Sequence, residues 1–309
     1  MLFALNLPPY LHTNLPGGGR FLLGGTYRGS AFDSRFIRMN QIPRAKIYLE
    51  GRYNKLSRDL PQTIFYCPEC KGHPRRRRKC ERCEGFGKLT RESVQELIAW
   101  VAGKAFGTRK NKFHGAGRED VDVRMLGSGR PFVLELIGPR VHDVDLAEIE
   151  AEINRRNEGR LEIHGLHWTE KTRIAYLKET PHAKEYEALI SVEGPIDLGA
   201  IDFLGERIDV LQKTPQRVAH RRAAKDRERW VEYLAIEPAD DGHYRVKIRT
   251  QHGTYVKEVL SGEDGQTEPS LASLLGVSCR CEELDVLAIL DEEGEAPEYT
   301  APPVFGAGL

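Results

Sequence analysis

The stretch HGAGREDVDVRMLGSGRPF, His114–Phe132, sets three acids and three arginines among glycines, a composition that neither a core strand nor a core helix would take. Charges gathered in this way are costly to bury unless they pair or serve a reaction. Arg118, Glu119, Asp120, Asp122 and Arg124 crowd its centre. Asp120 and Asp122 are two residues apart, so an extended backbone would turn both carboxylates to one face. The competing reading is a surface loop whose charges compensate one another.

A second chemically capable set lies in CPECKGHPRRRRKCERCEGFGK, where the pairs Cys67 with Cys70 and Cys80 with Cys83 stand nine residues apart. Each C-x-x-C turn brings two thiolates to one side of a tight loop, and two turns supply the four soft ligands of a tetrahedral zinc site. Disulfides are the alternative. They are disfavoured because the N-terminus, broken by Pro8, Pro9 and Pro16 and without a basic leader, is a poor signal peptide. Four cysteine ligands leave no open coordination position, so the metal is expected to be structural. The run Arg75–Lys79 falls between the pairs, where a metal-stapled loop would offer Arg75 and Arg76 to phosphates. CERCEGFG has the form of one C-x-x-C-x-G-x-G unit of chaperone-type zinc modules, but only one such unit is present. Cys279 and Cys281 read as ordinary strand residues.

The elements that must position these groups can be read from periodicity. AKIYLEGRY (Ala45–Tyr53) has the β-branched and aromatic content of a strand. TRESVQELIAWVAG puts Val94, Leu97, Ile98 and Val101 on one helical stripe, with Thr90 as the expected N-cap and Gly103 near the stop. DLAEIEAEINRRNEG is a second helix through Leu146, Ile149 and Ile153, ended by Asn157 to Gly159. RPFVLELIG (Arg130–Gly138) suits a buried strand, and KEYEALISVEG alternates Tyr186, Ala188, Ile190 and Val192 on one face. RWVEYLAIEP and YRVKIRTQ form a hairpin about Asp241 and Gly242. Strands separated by helices, yet including hairpins, predict an α+β fold with a mixed, mainly antiparallel sheet flanked by helices, plus a small four-cysteine zinc module at 64–88. Residues 1–45 read as a short accessory region, 46–290 as the main domain that holds the charged stretch and the zinc module, and 291–309 as a disordered tail.

The 309 residues carry 40% hydrophobic and 30% charged side chains, with 46 basic against 46 acidic groups. No apolar run approaches the ~20 residues that a membrane helix needs, so a cytoplasmic protein with no membrane partner is expected. The balanced sum hides local asymmetry. Lys213–Trp230 holds seven Lys or Arg against two acids, whereas from Glu282 onward there are eight acids and no Lys or Arg. Two basic stretches left locally available favour a polyanionic partner over two solvated faces.

The charged stretch also carries a resemblance. G-R-x-D is similar to the active-site motif of RNA pseudouridine synthases, and GREDVDVRMLGSGRPF resembles the archaeal-type tRNA pseudouridine synthases that act on T-loop uridines 54 and 55. GRYNKLSRDLPQT (Gly51–Thr63), KEYEALI (Lys184–Ile190), QKTPQRVAHRRA (Gln212–Ala223) and GTYVKEVLSGEDGQTEPSLASLLG (Gly253–Gly276) resemble the same family in the same order. The resemblance implies the pseudouridine synthase fold and a catalytic aspartate at Asp120, favoured over Asp122 by the motif's spacing. It implies that Tyr186 stacks on the target base or removes its proton, and that Lys257 pairs with Asp120. It further implies tRNA as partner, with Arg118, Arg124, Arg221, Arg222, Arg75 and Arg76 as substrate contacts, no organic cofactor, and structural zinc on Cys67, Cys70, Cys80 and Cys83. Only about 45 residues precede the core, so an accessory THUMP-type domain is expected to be reduced or absent. Gln266 stands where an arginine is expected. No protein partner is evident, and a monomer is expected. The rival reading is a non-catalytic zinc-finger RNA-binding protein; a zinc-dependent co-chaperone is a weaker third.

Overall fold

The computed structural model describes residues 45–219 and 223–290. Nearly all of the expected accessory region, Arg221, Arg222 and the expected tail lie outside the described residues. β1 (Lys46–Lys55) opens the chain, and a single turn of helix, α1 (Pro74–Arg77), lies in the cysteine segment. α2 (Val94–Ala105), β2 (Lys110–Gly115), β3 (Arg124–Ile137), α3 (Leu146–Arg156), β4 (Leu161–Thr169) and α4 (Thr172–Glu179) complete the first half. The second half runs β5 (Lys184–Glu193), β6 (Arg207–Gln212), α5 (Gln216–Ala219), β7 (Arg227–Pro238), β8 (His243–Thr250), α6 (Val256–Ser261), β9 (Thr267–Glu268), α7 (Leu271–Leu275) and β10 (Ser278–Ile289).

The strands form one sheet in the order β4-β1-β3-β10-β5-β8-β7-β6-β9, with β2 also paired to β3. Among the described residues, β3 with β10 is the parallel pair and every other pairing is antiparallel. This is the mixed, mainly antiparallel sheet that the sequence predicts. Both faces of β3 are covered, which explains its apolar run Phe132–Leu134: Phe132, Leu134 and Leu136 join the main core, while Val133 packs with Ala116 and Leu177 of α4. The hairpin of β7 and β8 forms as expected, with a 3-10 turn at Asp240–Gly242.

The two halves meet where β3 begins. There Arg124 and Met125 pair with Asp285 and Val286 of β10. Gly127 is required at this seam: its φ is +57°, and a Cβ would stand 1.9 Å from the Leu287 carbonyl oxygen. Helix termini correct one expectation. α2 is capped not by Thr90 but by Ser93, whose hydroxyl accepts from Glu96 N at 3.2 Å and donates to the Glu96 carboxylate at 2.8 Å. The S-x-x-E pattern of Ser93 and Glu96 is the signal for that cap. Gly103 stays inside the helix, and the left-handed residue that ends it is Gly107, φ +64°. α3 is capped by Asp145 and closes at Asn157 as predicted.

Candidate active site and metal centre

The loop joining β2 to β3 carries the charged stretch, and its side chains alternate in and out. Arg118 is exposed, Glu119 is buried, and Asp120 is half-buried. Glu119 lies 2.8 Å from Arg130 Nε and accepts the Tyr53 hydroxyl at 2.8 Å. Gln62 donates both to that hydroxyl, at 2.8 Å, and to Gly117 O, at 2.9 Å. Arg130 Nη1 donates to Ala116 O at 2.6 Å, and Lys55 Nζ to Asp120 O and Val121 O at 3.0 and 2.8 Å. The loop's backbone carbonyls are thus tied down by buried cations and an amide. Burial lowers the proton affinity of Arg130, but Glu119, through its charge and its hydrogen bond, together with Tyr53 and Tyr186 holds the pKa above the ordinary value. Burial draws Lys55 down to about 8. Gly117, φ +81°, lets the chain pass this frame: a Cβ there would sit 3.0 Å from Arg130 Nη1.

Fixed in this way, Asp120 faces the second half of the chain. Its Oδ2 lies 2.5 Å from Nη1 of Arg217 on α5, and the same guanidinium grips Glu258 of α6 through Nε and Nη2. Glu258 is buried. Burial alone would lower the Arg217 pKa, but Glu258 and Asp120 raise it well above its usual value. Lys257, expected on Asp120, instead donates to Asp122 Oδ2 at 2.7 Å. Burial would raise the Asp122 pKa, and Lys257 holds it below the usual carboxylate range. The difference follows from helix geometry: Lys257 and Glu258 are adjacent on α6 and diverge, so one reaches Asp122 while the other anchors the arginine that reaches Asp120. Arg217 lies within QKTPQRVAHRRA, a stretch that the sequence singles out without distinguishing this residue from its basic neighbours.

Arg124 is committed to a bidentate pair with Asp285 of β10, at 2.9 and 2.5 Å, and Arg58 joins the same carboxylate at 2.9 Å. It braces the seam between the halves. Tyr186 shares a register row with Val286 and, through it, with Met125 at the start of β3. Burial is the largest of the influences that push its hydroxyl up to about 12, with Glu119 adding to burial and Arg130 opposing it. Lys184, two residues earlier and on the same face, is drawn down to about 8 by burial and by Arg130. Beyond Arg217 stand two aromatic rings with cations over them: Tyr255 beneath Arg227, 5.5 Å from the centroid, and Trp230 beneath Arg207, 4.3 Å.

The cysteine segment forms as a separate small cluster. The sulfurs of Cys67, Cys70, Cys80 and Cys83 lie within 4.8 Å of one another, and the pairs Cys67–Cys80 and Cys70–Cys83 are each 3.7 Å apart. A tetrahedron with Zn–S bonds of about 2.3 Å has edges of about 3.8 Å, so the donor set and its spacing fit such an ion. Those separations are far longer than a disulfide bond. Gly87 N donates to Cys83 Sγ at 3.1 Å, a contact suited to a thiolate. Arg75 and Arg76 sit on α1, fully on the surface. The module is pinned at its base, since Val94 N and Gln95 N donate to Pro61 O and Gln62 O.

Residues 48–290 match the model of the family described as Pus10, C-terminal. The chain belongs to that family. The protein called tRNA pseudouridine synthase Pus10 in Methanothermobacter marburgensis is 45% identical over 246 residues, 79% of this chain and 60% of that one. Its namesakes in Methanocaldococcus jannaschii and Korarchaeum cryptofilum are 42% and 41% identical, over 79% and 80% of this chain and 53% and 66% of theirs. The chain therefore spans between about half and two thirds of the length of these relatives. A solved Cbf5-Nop10-Gar1 complex is similar over 80% of this chain and 58% of the other, at 18% identity and a TM-score of 0.36, a likeness too slight to carry an argument. No helix among the described residues is long and apolar enough to cross a membrane.

Proposed function

We propose that this Pus10-family chain isomerises uridine to pseudouridine in tRNA, at T-loop position 54, 55 or both, with Asp120 as the catalytic carboxylate. The observation that carries the reading is the Asp120–Arg217–Glu258 arrangement. A half-buried carboxylate on an immobilised loop is ion-paired with a guanidinium that is itself anchored on a buried glutamate. A carboxylate can stabilise the ribose C1′, or bond to it until C5 displaces it, as the C1′–N1 bond breaks and the pair leaves with the uracil. The uracil then turns, C5 joins C1′, the C5 proton is lost to a base, and N1 ends protonated. The exchange is internal to the nucleotide and calls for no organic cofactor.

Tyr186 serves this reaction as a plane against the extruded base. With its hydroxyl pushed up to about 12, it stays a phenol at neutral pH, which favours positioning over proton removal. Arg118, exposed beside Asp120, is available to the substrate backbone, as are Arg75 and Arg76 on the cysteine module. The names of the relatives support tRNA as the partner. Zn2+ on Cys67, Cys70, Cys80 and Cys83 would supply a structural staple for the module and no chemistry.

The test is release of tritium from C5-labelled uridine in an unmodified tRNA transcript, wild type against Asp120→Asn. Release is expected from the wild type and a loss of more than about a thousandfold from the variant, the scale seen when a covalent catalyst is removed. Absence of release from both proteins, with tRNA still bound, would favour a zinc-finger RNA-binding protein instead.

A further inference from the structure

The cysteine module presents aromatic rings that the proposed reaction does not use. Its two arms form a short antiparallel ribbon, with Tyr66 bridged to Lys88, Leu89 N donating to Phe65 O at 2.8 Å and Cys67 N to Gly87 O at 3.1 Å. Residues directly opposite share a face, so Tyr66 and Lys88 fall on one side. Tyr66 is 54% exposed and Phe86 50%, unusual for rings of this size in so small a module. Lys88 Nζ stands 5.5 Å from the Phe86 centroid. The Tyr66 ring is seated on Gly72, where a Cβ would come within 2.5 Å of it, and the stem of Arg77 lies across Gly87, 3.1 Å from where a Cβ would be. Rings and basic helix are therefore neighbours. Of the cations in this module, Arg82 pairs with Glu69 and Lys88 with Glu96, whereas Arg75, Arg76, Arg77, Arg78 and Lys79 have no ion pair among the described residues.

We propose that this face is a stacking platform for unpaired nucleotides of RNA, with bases on Tyr66 and Phe86 and phosphates on the flanking Arg75–Lys79 run. The inference rests on the reading of that run as a phosphate contact and extends it. A peptide of apolar residues would satisfy the rings and leave five cations without counter-ions. A duplex would satisfy the cations but hides its base faces in its own stack. Single-stranded RNA offers both groups at once, base planes for the rings and one anion per nucleotide for the cations.

The test uses the full chain with zinc supplied and two probes that contain no uridine, so that its outcome is separate from the isomerisation: a single-stranded adenosine decamer and a blunt G–C duplex decamer. The wild type should bind the single strand more tightly. Phe86→Leu and Tyr66→Leu keep apolar bulk but remove the ring plane, and each should weaken single-strand binding roughly five- to hundredfold while leaving duplex binding in place. Tyr66→Phe should retain it. Zinc content of each variant, measured alongside, identifies any that has lost the module's fold, and Tyr66→Phe against Tyr66→Leu then decides. Equal affinity for both probes, or leucine variants that bind the single strand as the wild type does, would overturn the platform. So would capture of a neutral apolar peptide by the same rings with no preference for RNA.

Discussion

In the loop around Asp120, Glu119, Asp120 and Asp122 each meet a cation of the fold, Arg130, Arg217 and Lys257, the first pair buried and the last at the surface. In the cysteine module, five consecutive cations from Arg75 to Lys79 meet no anion among the described residues. Both regions are dense in charge, and the difference lies in what holds the backbone. The loop is shaped by its charges, because Arg130, Lys55 and Gln62 bind its carbonyls directly. The module is shaped by four sulfurs, which leaves its charges to face solvent. Charge used for architecture must be paired, whereas charge used for recognition must be left open.

The strongest way to break this comparison is to remove one buried partner from the loop. Glu119→Gln leaves Arg130 charged, buried and without its anion, and should cost about 3–5 kcal/mol of stability. Replacing both residues, Glu119→Met with Arg130→Met, should recover much of that loss because no lone charge remains. The midpoint and slope of urea unfolding would measure it. A Glu119→Gln protein as stable as the wild type would mean that the frame is not what shapes the loop. Neither variant should alter zinc content, because the sulfurs hold the module.

Much of this contrast can be read in the sequence and part cannot. Two C-x-x-C pairs announce their own geometry, since the spacing within each pair is local and the ligand type is unambiguous. The same holds for β3, whose run of apolar residues after Pro131 suits a buried strand, and for the helix of Leu146, Ile149 and Ile153. The roles of Glu119 and Arg217 are not legible there. Glu119 is distinguished from Asp120 only by a side chain that turns the other way, toward partners 11 to 66 residues distant at Arg130 and Tyr53. Arg217 lies 97 residues from Asp120, among neighbours that look equally basic. Lys257 and Glu258 are adjacent, and only the rotation of α6 decides which serves Asp122 and which holds Arg217. The cap of α2 is misread for a smaller reason: Thr90 and Ser93 are both good caps, and the glutamate three residues beyond Ser93 decides between them.

A second measurement sharpens the loop's side of the comparison. Lys184 lies against the Glu119–Arg130 pair and is drawn down to about 8 by burial and by Arg130. Between about 8 and the ordinary lysine value near 10.4 the unfolded chain binds the proton and the folded chain does not, so this residue's contribution makes the fold more stable as pH rises. Lys184→Met removes that contribution. The stability of wild type relative to Lys184→Met should therefore climb across this window, by an amount on the order of 2–3 kcal/mol. Lys55, drawn down likewise, is present in both proteins and cancels in the difference. A difference that stays flat from about pH 7.5 to about pH 9.5 would mean that neither burial nor Arg130 depresses Lys184.

The smallest expected effect falls on the module, and its smallness is the point. Arg75 and Arg76 are exposed and have no ion pair among the described residues, so replacing either with alanine should leave unfolding unchanged within about 0.5 kcal/mol. What should change is the salt dependence of tRNA binding. Taking away one arginine–phosphate pair lowers the slope of log affinity against log salt by between about 0.7 and 0.9, depending on whether the phosphate lies on a single strand or a duplex. Arg75→Ala with Arg76→Ala should thus flatten that slope by between about 1.4 and 1.8, provided each meets one phosphate. Glu119→Gln, measured at a temperature where it remains folded, should keep the wild-type slope while losing stability. If the arginine pair changes stability and not slope, the module's charges are architectural after all, and the contrast with the loop fails.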